Sequence, residues 1–290
     1  MIRVGLIGLG QMGLPIARNL LNKGFNVVAY DLRRAKVDEV AKLGAEEAAG
    51  PRDVATKSDV IITLLSYPHV VQEVITGAGG VLEGLRKDSI IMECSSIDDE
   101  TSIRVAHAVA GVGGRFVEVA ILGRPHVIDA RQLVFLVAGE EGTVKDCESI
   151  LNTLGRKVLY VGPYGAAKVL KIANAMANAT EIAILCEVAA WSKKNGVSVE
   201  NLLEVLEIRS EESSSRVKQL KRIIEGDLKR EVTWMAKDVH HATKIANEQR
   251  IAIPVTSAVR TVIALAEEQN TDGYSFFEMI WRFYNRNHEL

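Results

Sequence analysis

The sequence predicts an α/β doubly wound sheet in its first half, followed by an all-α domain. Three observations carry this. Short β-branched runs alternate with helical patterns up to about residue 163, and those runs are apolar on consecutive positions. Beyond Gly162-Pro163-Tyr164-Gly165 no convincing strand follows. Strands apolar on consecutive positions and separated by helices belong to a parallel sheet covered on both faces.

The elements follow in order. Val4-Gly5-Leu6-Ile7 is the first strand; a glycine turn then opens a helix through Ile16, Leu20 and Leu21. Asn26 to Tyr30, Asp59 to Leu64, Ser89 to Glu93, Phe116 to Val119, Val134 to Val137 and Val158 to Val161 supply the remaining strands. Amphipathic patterns then run from Ala166 to about Lys194, Val199 to Ile208, Ser214 to Glu225, Thr233 to Gln249, Pro254 to Glu268 and Tyr274 to Phe283. Pro254 and Gly273 stand where helices begin. Residues 1–163 are expected to form one domain and 164–290 a helical second one that completes the site and carries an oligomer interface. With no repeat or low-complexity linker, the halves are expected to pack closely, bridged by the first long helix.

Hydrophobic residues make up 48% and charged residues 25% of the 290, which is ordinary globular composition. A formal charge of −2 and a pI near 6.3 exert no pull toward nucleic acid or anionic membrane, so neither is expected as a partner. Cys94, Cys147 and Cys186 are scattered and form no C-x-x-C pair. That argues against a disulfide framework and a metal site and suits a reducing cytoplasm. Arg3 interrupts the first apolar stretch, so no signal peptide is expected, and the remaining apolar runs read as too short or too charged to span a membrane.

Gly8-Leu9-Gly10-Gln11-Met12-Gly13 is a G-x-G-x-x-G placed directly after a strand and opening a helix. The first glycine permits a tight turn, the second lets backbone approach a pyrophosphate, and the third packs helix on strand. Asp31 ends the second strand 18 residues after Gly13, near the spacing of an acid that binds the adenosine ribose. Together these read as a Rossmann-type NAD(P) site formed by Gly8 to Gly13 with Asp31, Leu32 and Arg33. A carboxylate binds a 2′-hydroxyl and repels a 2′-phosphate, so NAD is preferred over NADP. Arg33 and Arg34 stand ready to clamp a phosphate should Asp31 turn away; otherwise they mark a solvated helix start.

The catalytic candidate lies in Gly165-Ala166-Ala167-Lys168-Val169-Leu170-Lys171-Ile172-Ala173-Asn174, opening the bridging helix. Lys171 and Asn174, three apart, share one helix face. Lysines in apolar helices generically lay their stems along neighbours and reach water. Here position counts, because α/β folds bind ligands in the crevice outside the carboxyl ends of their strands. A lysine there can give a proton to a carbonyl oxygen as hydride reaches the carbon, and remove it in reverse.

The chain resembles the β-hydroxyacid dehydrogenase family, which includes 3-hydroxyisobutyrate dehydrogenases and tartronate semialdehyde reductases, with 6-phosphogluconate dehydrogenase more distant. The resemblance covers essentially the whole chain and starts with Gly8-Leu9-Gly10-Gln11-Met12-Gly13-Leu14-Pro15-Ile16-Ala17-Arg18-Asn19-Leu20. It implies that Leu65 and Ser66 lie along the cofactor and that Ser96, in Glu93-Cys94-Ser95-Ser96, stands near the nicotinamide and substrate. The family's K-x-x-N-N falls on Lys171 rather than Lys168, making Lys171 the general acid/base and Asn174 its catalytic and substrate-side companion. Lys237-Asp238-Val239 resembles a later Lys-Asp-Leu whose lysine reaches toward the cofactor; read without the family it is an ordinary exposed pair. A homodimer or homotetramer is also implied.

Two departures fall on the substrate side. The family's Asp-Ala-Pro-Val-Ser-Gly-Gly is replaced here by Glu118-Val119-Ala120-Ile121-Leu122-Gly123-Arg124-Pro125, and Ala175 replaces the second asparagine. Leu122 cannot donate, so either Arg124 grips a substrate carboxylate bidentately or the substrate lacks one there; Gly123 keeps one close backbone approach. The resulting expectation is hydride transfer between NAD(P) and a small 3-hydroxy acid, semialdehyde or related compound. The alternatives are an imine reductase of the same architecture, against which Lys171 counts, and an NAD(P)-binding protein without turnover. His126, His240 and His241 read as solvated, and Trp191, Trp234 and Trp281 as packing anchors.

Overall fold

The computed structural model describes residues 2–123, 132–208, 234–250, 252–269 and 276–286. The helix expected from Ser214 to Glu225 lies outside the described residues, as do Arg124, Pro125 and His126. The chain divides into two compact units, Met1–Lys171 and Ile172–Leu290.

The first unit is built on β1 (Arg3–Ile7), β2 (Asn26–Tyr30), β3 (Glu46–Glu47), β4 (Val60–Thr63), β5 (Ile90–Glu93), β6 (Arg115–Leu122), β7 (Leu133–Gly139) and β8 (Gly155–Gly162). They form one sheet in the order β3-β2-β1-β4-β5-β6-β7-β8. Helices α1 (Gly13–Asn22), α2 (Arg34–Ala41), α3 (Pro51–Lys57), α4 (Pro68–Thr76), α5 (Val81–Gly84), α6 (Asp99–Gly111), α7 (Glu141–Asp146) and α8 (Glu148–Leu154) alternate with the strands. Side chains alternate along β1, β4 and β5 and feed two cores. Val4, Leu6, Val60 and Ile62 enter one; Ile7, Ile61 and Ile91 enter the other. Burial on both faces is why these strands read as continuous apolar runs.

The sheet is mixed, not wholly parallel. β7 runs antiparallel to β6, pairing Val119 with Val137 and Leu122 with Val134, while every other pairing is parallel. A strand apolar on both faces carries no mark of its direction, so sequence pattern could not show the reversal. The two-residue β3 is too short to show a pattern.

Register places the site. Ile7 pairs with both Tyr30 and Thr63, and Thr63 with Glu93, so β1, β2, β4 and β5 end level with one another. The strand order reverses between β1 and β4, the crevice where such sheets take ligands. Gly8, Asp31, Leu64 and Cys94 each follow one of these four ends.

Helix α9 (Ala166–Lys194) starts in the first unit and continues into the second, where it is followed by α10 (Val199–Ile208), α11 (Trp234–Gln249), α12 (Pro254–Gln269) and α13 (Phe276–Arg286). Ala179, Ile182 and Cys186 pack with Val239, Ile263 and Ile280 in the second unit's core. Burial pushes the Cys186 thiol up to about 12, in keeping with a packing role. One expectation needs correcting: Ala166–Ala189, with mean hydropathy 1.3, is long and apolar enough by length and composition to cross a membrane. In this fold Ala167, Ala179 and Cys186 on it are buried, whereas Val169, Leu170 and Ile184 are exposed.

Candidate active site

The glycine loop runs from the end of β1 into α1. Gly8 has φ +98°, which L side chains rarely adopt, and a Cβ there would lie 2.3 Å from the Leu64 carbonyl oxygen. A Cβ on Gly13 would meet the Gly8 carbonyl oxygen at 1.9 Å, so this glycine is required by helix–strand packing. Gly10 differs, because a Cβ there would meet no atom within 4 Å. Among the described residues nothing occupies the space over Gly10, and their packing does not demand glycine there. The first turn of α1 carries no acidic residue and no side-chain cap, so no side-chain charge there opposes an anion at the helix N-terminus. These features fit a dinucleotide pyrophosphate.

Asp31 is fixed at the end of β2. The Leu9 N–H donates to its Oδ2 at 2.7 Å, and the Arg33 N–H and Nε donate to its Oδ1 at 2.9 and 3.1 Å. Burial alone would raise its pKa, but the hydrogen bonds from Arg33 and Leu9 outweigh that and hold the carboxyl below the ordinary aspartate value. Arg33 is thus folded onto Asp31, and Arg34 is engaged by Asp38 and Glu47. The Leu32 side chain is 89% exposed, an apolar surface beside Asp31. Gln11 is exposed and Met12 half-buried on the loop; Leu65 and the exposed Ser66 follow β4, with the Leu65 N–H donating to Ser95 Oγ at 2.9 Å.

At the end of β5 the chain passes through Ser95 and Ser96 into α6. Lys171 Nζ donates to Ser96 Oγ. The structure thus brings together two residues named from sequence 75 positions apart. Leu122 closes β6 half-buried, and Gly123 follows at φ +141°.

Lys168, an onlooker in the sequence reading, is not one. It is 1% exposed, and its ammonium donates to Glu93 Oε2 at 2.7 Å, Ser95 O at 2.8 Å and Val119 O at 3.0 Å. A fourth acceptor, the Glu93 carbonyl, lies at 3.3 Å, so all three donors of the lysine are used. Glu118, wholly buried, caps the same helix, accepting from the N–H groups of Gly165 at 2.8 Å, Ala167 at 2.9 Å and Lys168 at 3.2 Å. Ser102 Oγ on α6 also donates to it. Sequence reasoning missed Glu93 and Glu118 as partners of this helix. The signal was present, since a carboxylate in an otherwise apolar, doubly covered strand requires a buried partner.

In the second unit Asn174 stands three residues beyond Lys171 on α9, and Lys237 lies in the first turn of α11. Asp238 is 5% exposed, so Lys237-Asp238 is not the ordinary exposed pair that composition suggests. Among the described residues no group of His, Cys, Asp or Glu is placed to hold a metal ion.

Comparison with known proteins adds five findings. Residues 3–162 match the model described as the NAD binding domain of 6-phosphogluconate dehydrogenase. Residues 165–282 match that of NADP-dependent 3-hydroxyisobutyrate dehydrogenase, described as NAD-binding. The chain is 30% identical over 262 residues to 2-(hydroxymethyl)glutarate dehydrogenase of Eubacterium barkeri, covering 88% of this chain and 86% of that protein. It is 28% identical over 263 residues to the cytokine-like nuclear factor N-PAC of Anopheles gambiae, covering 90% of this chain but 46% of that protein; the chain spans about half the length of its N-PAC relatives. Among solved structures, Mycobacterium tuberculosis 3-hydroxyisobutyrate dehydrogenase with L-serine superposes with a TM-score of 0.87 at 22% identity, covering 97% of this chain and 98% of that one. At that identity the likeness speaks to the fold.

Proposed function

The chain belongs to the β-hydroxyacid dehydrogenase family, and on that premise we propose that it moves hydride between NAD and a small 3-hydroxy acid or its semialdehyde, with Lys171 carrying the proton. The observation that carries this reading is the Lys171 ammonium against Ser96, just past the carboxyl end of β5. The nicotinamide dinucleotide, when bound, supplies the chemistry of hydride transfer. Gly8 to Gly13 would hold its pyrophosphate and Asp31 its adenosine ribose, with Leu32, Leu65, Ser66 and Lys237 along its length.

The proton is the protein's task. During reduction Lys171 gives it to the carbonyl oxygen, and during oxidation takes it back from the hydroxyl. Ser96 Oγ orients the ammonium and offers the substrate a hydroxyl partner, and Asn174 supplies an amide on the same helix. The relatives' printed names, a hydroxy-acid dehydrogenase and a semialdehyde reductase, support this substrate class.

Several observations support NAD over NADP. Asp31 is held in place as an ionised carboxylate, Arg33 is bound to it, and Arg34 is committed elsewhere. A ribose 2′-hydroxyl can donate to that carboxylate, whereas a 2′-phosphate meets like charge. With no donor on Leu122, Arg124 takes over the grip on the substrate carboxylate; Arg124→Met then raises KM for acidic substrates far more than for neutral ones. Equal effects on both would assign Arg124 to loop shape. The family resemblance, with Ile184, Val205 and Val255 more than half exposed on the helical unit, supports a homodimer or homotetramer. Sedimentation of a monomer at micromolar concentration would overturn that.

The test of the substrate class is a panel of 3-hydroxy acids, amino alcohols, aldehydes and imines assayed with NAD and NADP in parallel. The reading expects its fastest turnover on a 3-hydroxy acid or semialdehyde with NAD. Turnover confined to imines would overturn it.

A further inference from the structure

We infer that Lys168, through Glu93, is a positioning residue that sets the Lys171–Ser96 pair. This rests on the proposed role of Lys171. The argument starts from Ser95, which is gripped on three sides. Its N–H donates to Glu93 Oε1 at 2.7 Å, its carbonyl accepts from Lys168 Nζ at 2.8 Å, and its hydroxyl accepts from the Leu65 N–H at 2.9 Å. Glu93 closes the ring, its other oxygen accepting from the same ammonium at 2.7 Å.

The ring therefore fixes the peptide that leads directly into Ser96. Its other end fixes the helix, because Lys168 lies three residues before Lys171, less than one turn away. A single ammonium thus sets both partners of the proposed proton-transfer pair: the serine through Ser95, and the lysine through the first turn of α9. The bond to Val119 O at 3.0 Å ties the same point to β6.

Neither Lys168 nor Glu93 faces solvent, at 1% and 0% exposed. A buried ion pair of this kind adds little stability over apolar residues of similar volume, while loss of one partner strands a buried charge. Placement of reacting groups is far more sensitive, since a misplacement of about 1 Å can cost roughly 10²-fold in rate. The geometry accordingly points to positioning as what the pair contributes.

The test separates placement from folding. Lys168→Met leaves Glu93 uncompensated and lowers the thermal midpoint. In the Glu93→Gln/Lys168→Met double variant no charge is stranded, and the glutamine can still accept from the Ser95 N–H. The double variant is expected to regain most of the midpoint, bind NAD as the wild type does, and turn over about 10²-fold more slowly. Glu93→Asp keeps the charge but shortens the arm, and is expected to lower kcat with nucleotide affinity unchanged. Wild-type kcat in either folded variant would overturn the inference. A readout free of turnover is NMR of [13Cε]lysine-labelled protein, with the Lys171 resonance identified by its loss in Lys171→Met. That resonance is expected to shift in both variants, and an unmoved one would also overturn the inference. Should the wild type turn over no substrate, the functional reading fails while the resonance test still decides the placement.

Discussion

Individual residues carry separable duties, and the loop at the nucleotide site shows this most clearly. Gly8 and Gly13 are required by the fold, whereas Gly10 faces open space. Gly10→Val should therefore leave the thermal midpoint within a few degrees of wild type while abolishing NAD(P) binding. Titration calorimetry showing unchanged affinity would remove Gly10 from the pyrophosphate site. Asp31→Asn should raise the NADP to NAD ratio of kcat/KM by removing repulsion of a 2′-phosphate; a wild type that already favours NADP would refute that role. Asp31 also bears on acid stability. Its folded pKa is lowered, so its stabilisation is complete above the ordinary aspartate value near 3.9 and is lost as pH falls through the folded value. The stability gap between wild type and Asp31→Asn should accordingly narrow below about pH 4. The glycines and Asp31 were legible because their chemistry is local, fixed by spacing along one strand–turn–helix. The duty of Lys168 was not. Its partners Glu93 and Val119 lie 75 and 49 positions away, and only the sheet register brings them together.

Among elements, α9 depends on the sheet for its start. Glu118 of β6, 47 to 50 positions away, accepts from the N–H groups of Gly165, just before the helix, and of Ala167 and Lys168 in its first turn. Glu118→Gln keeps the shape but offers one oxygen in place of two and removes the charge that favours a helix N-terminus. A loss of about 1–3 kcal/mol is expected from denaturant titration. An unchanged midpoint would mean the cap is dispensable. Strand and helix positions could be read from sequence wherever burial leaves a period. The helix expected from Val199 to Ile208 matches α10, and that from Pro254 to Glu268 matches α12 within a residue. Strand direction leaves no such trace, which is why the reversal of β7 emerges only from its pairing with β6.

For the whole molecule, one continuous helix runs from the nucleotide-binding unit into the helical one, and the division falls just after Lys171. The tethers from Glu118 and Lys168 explain why the first turn of α9 belongs with the sheet. The family was legible in the glycine loop and in the lysine that opens this helix, both of which the departures at Leu122 and Ala175 leave intact. Substrate choice was less so, because those departures remove the residues by which the family pattern would indicate it. The central claim is that a nicotinamide-dependent oxidoreductase uses Lys171 to carry the proton. Its most direct test is kcat for Lys171→Met with the best substrate of the panel, measured beside the Kd for NAD. A fall in kcat of about 10²- to 10⁴-fold with Kd near wild type is the result predicted. Near-normal turnover in Lys171→Met would contradict the account.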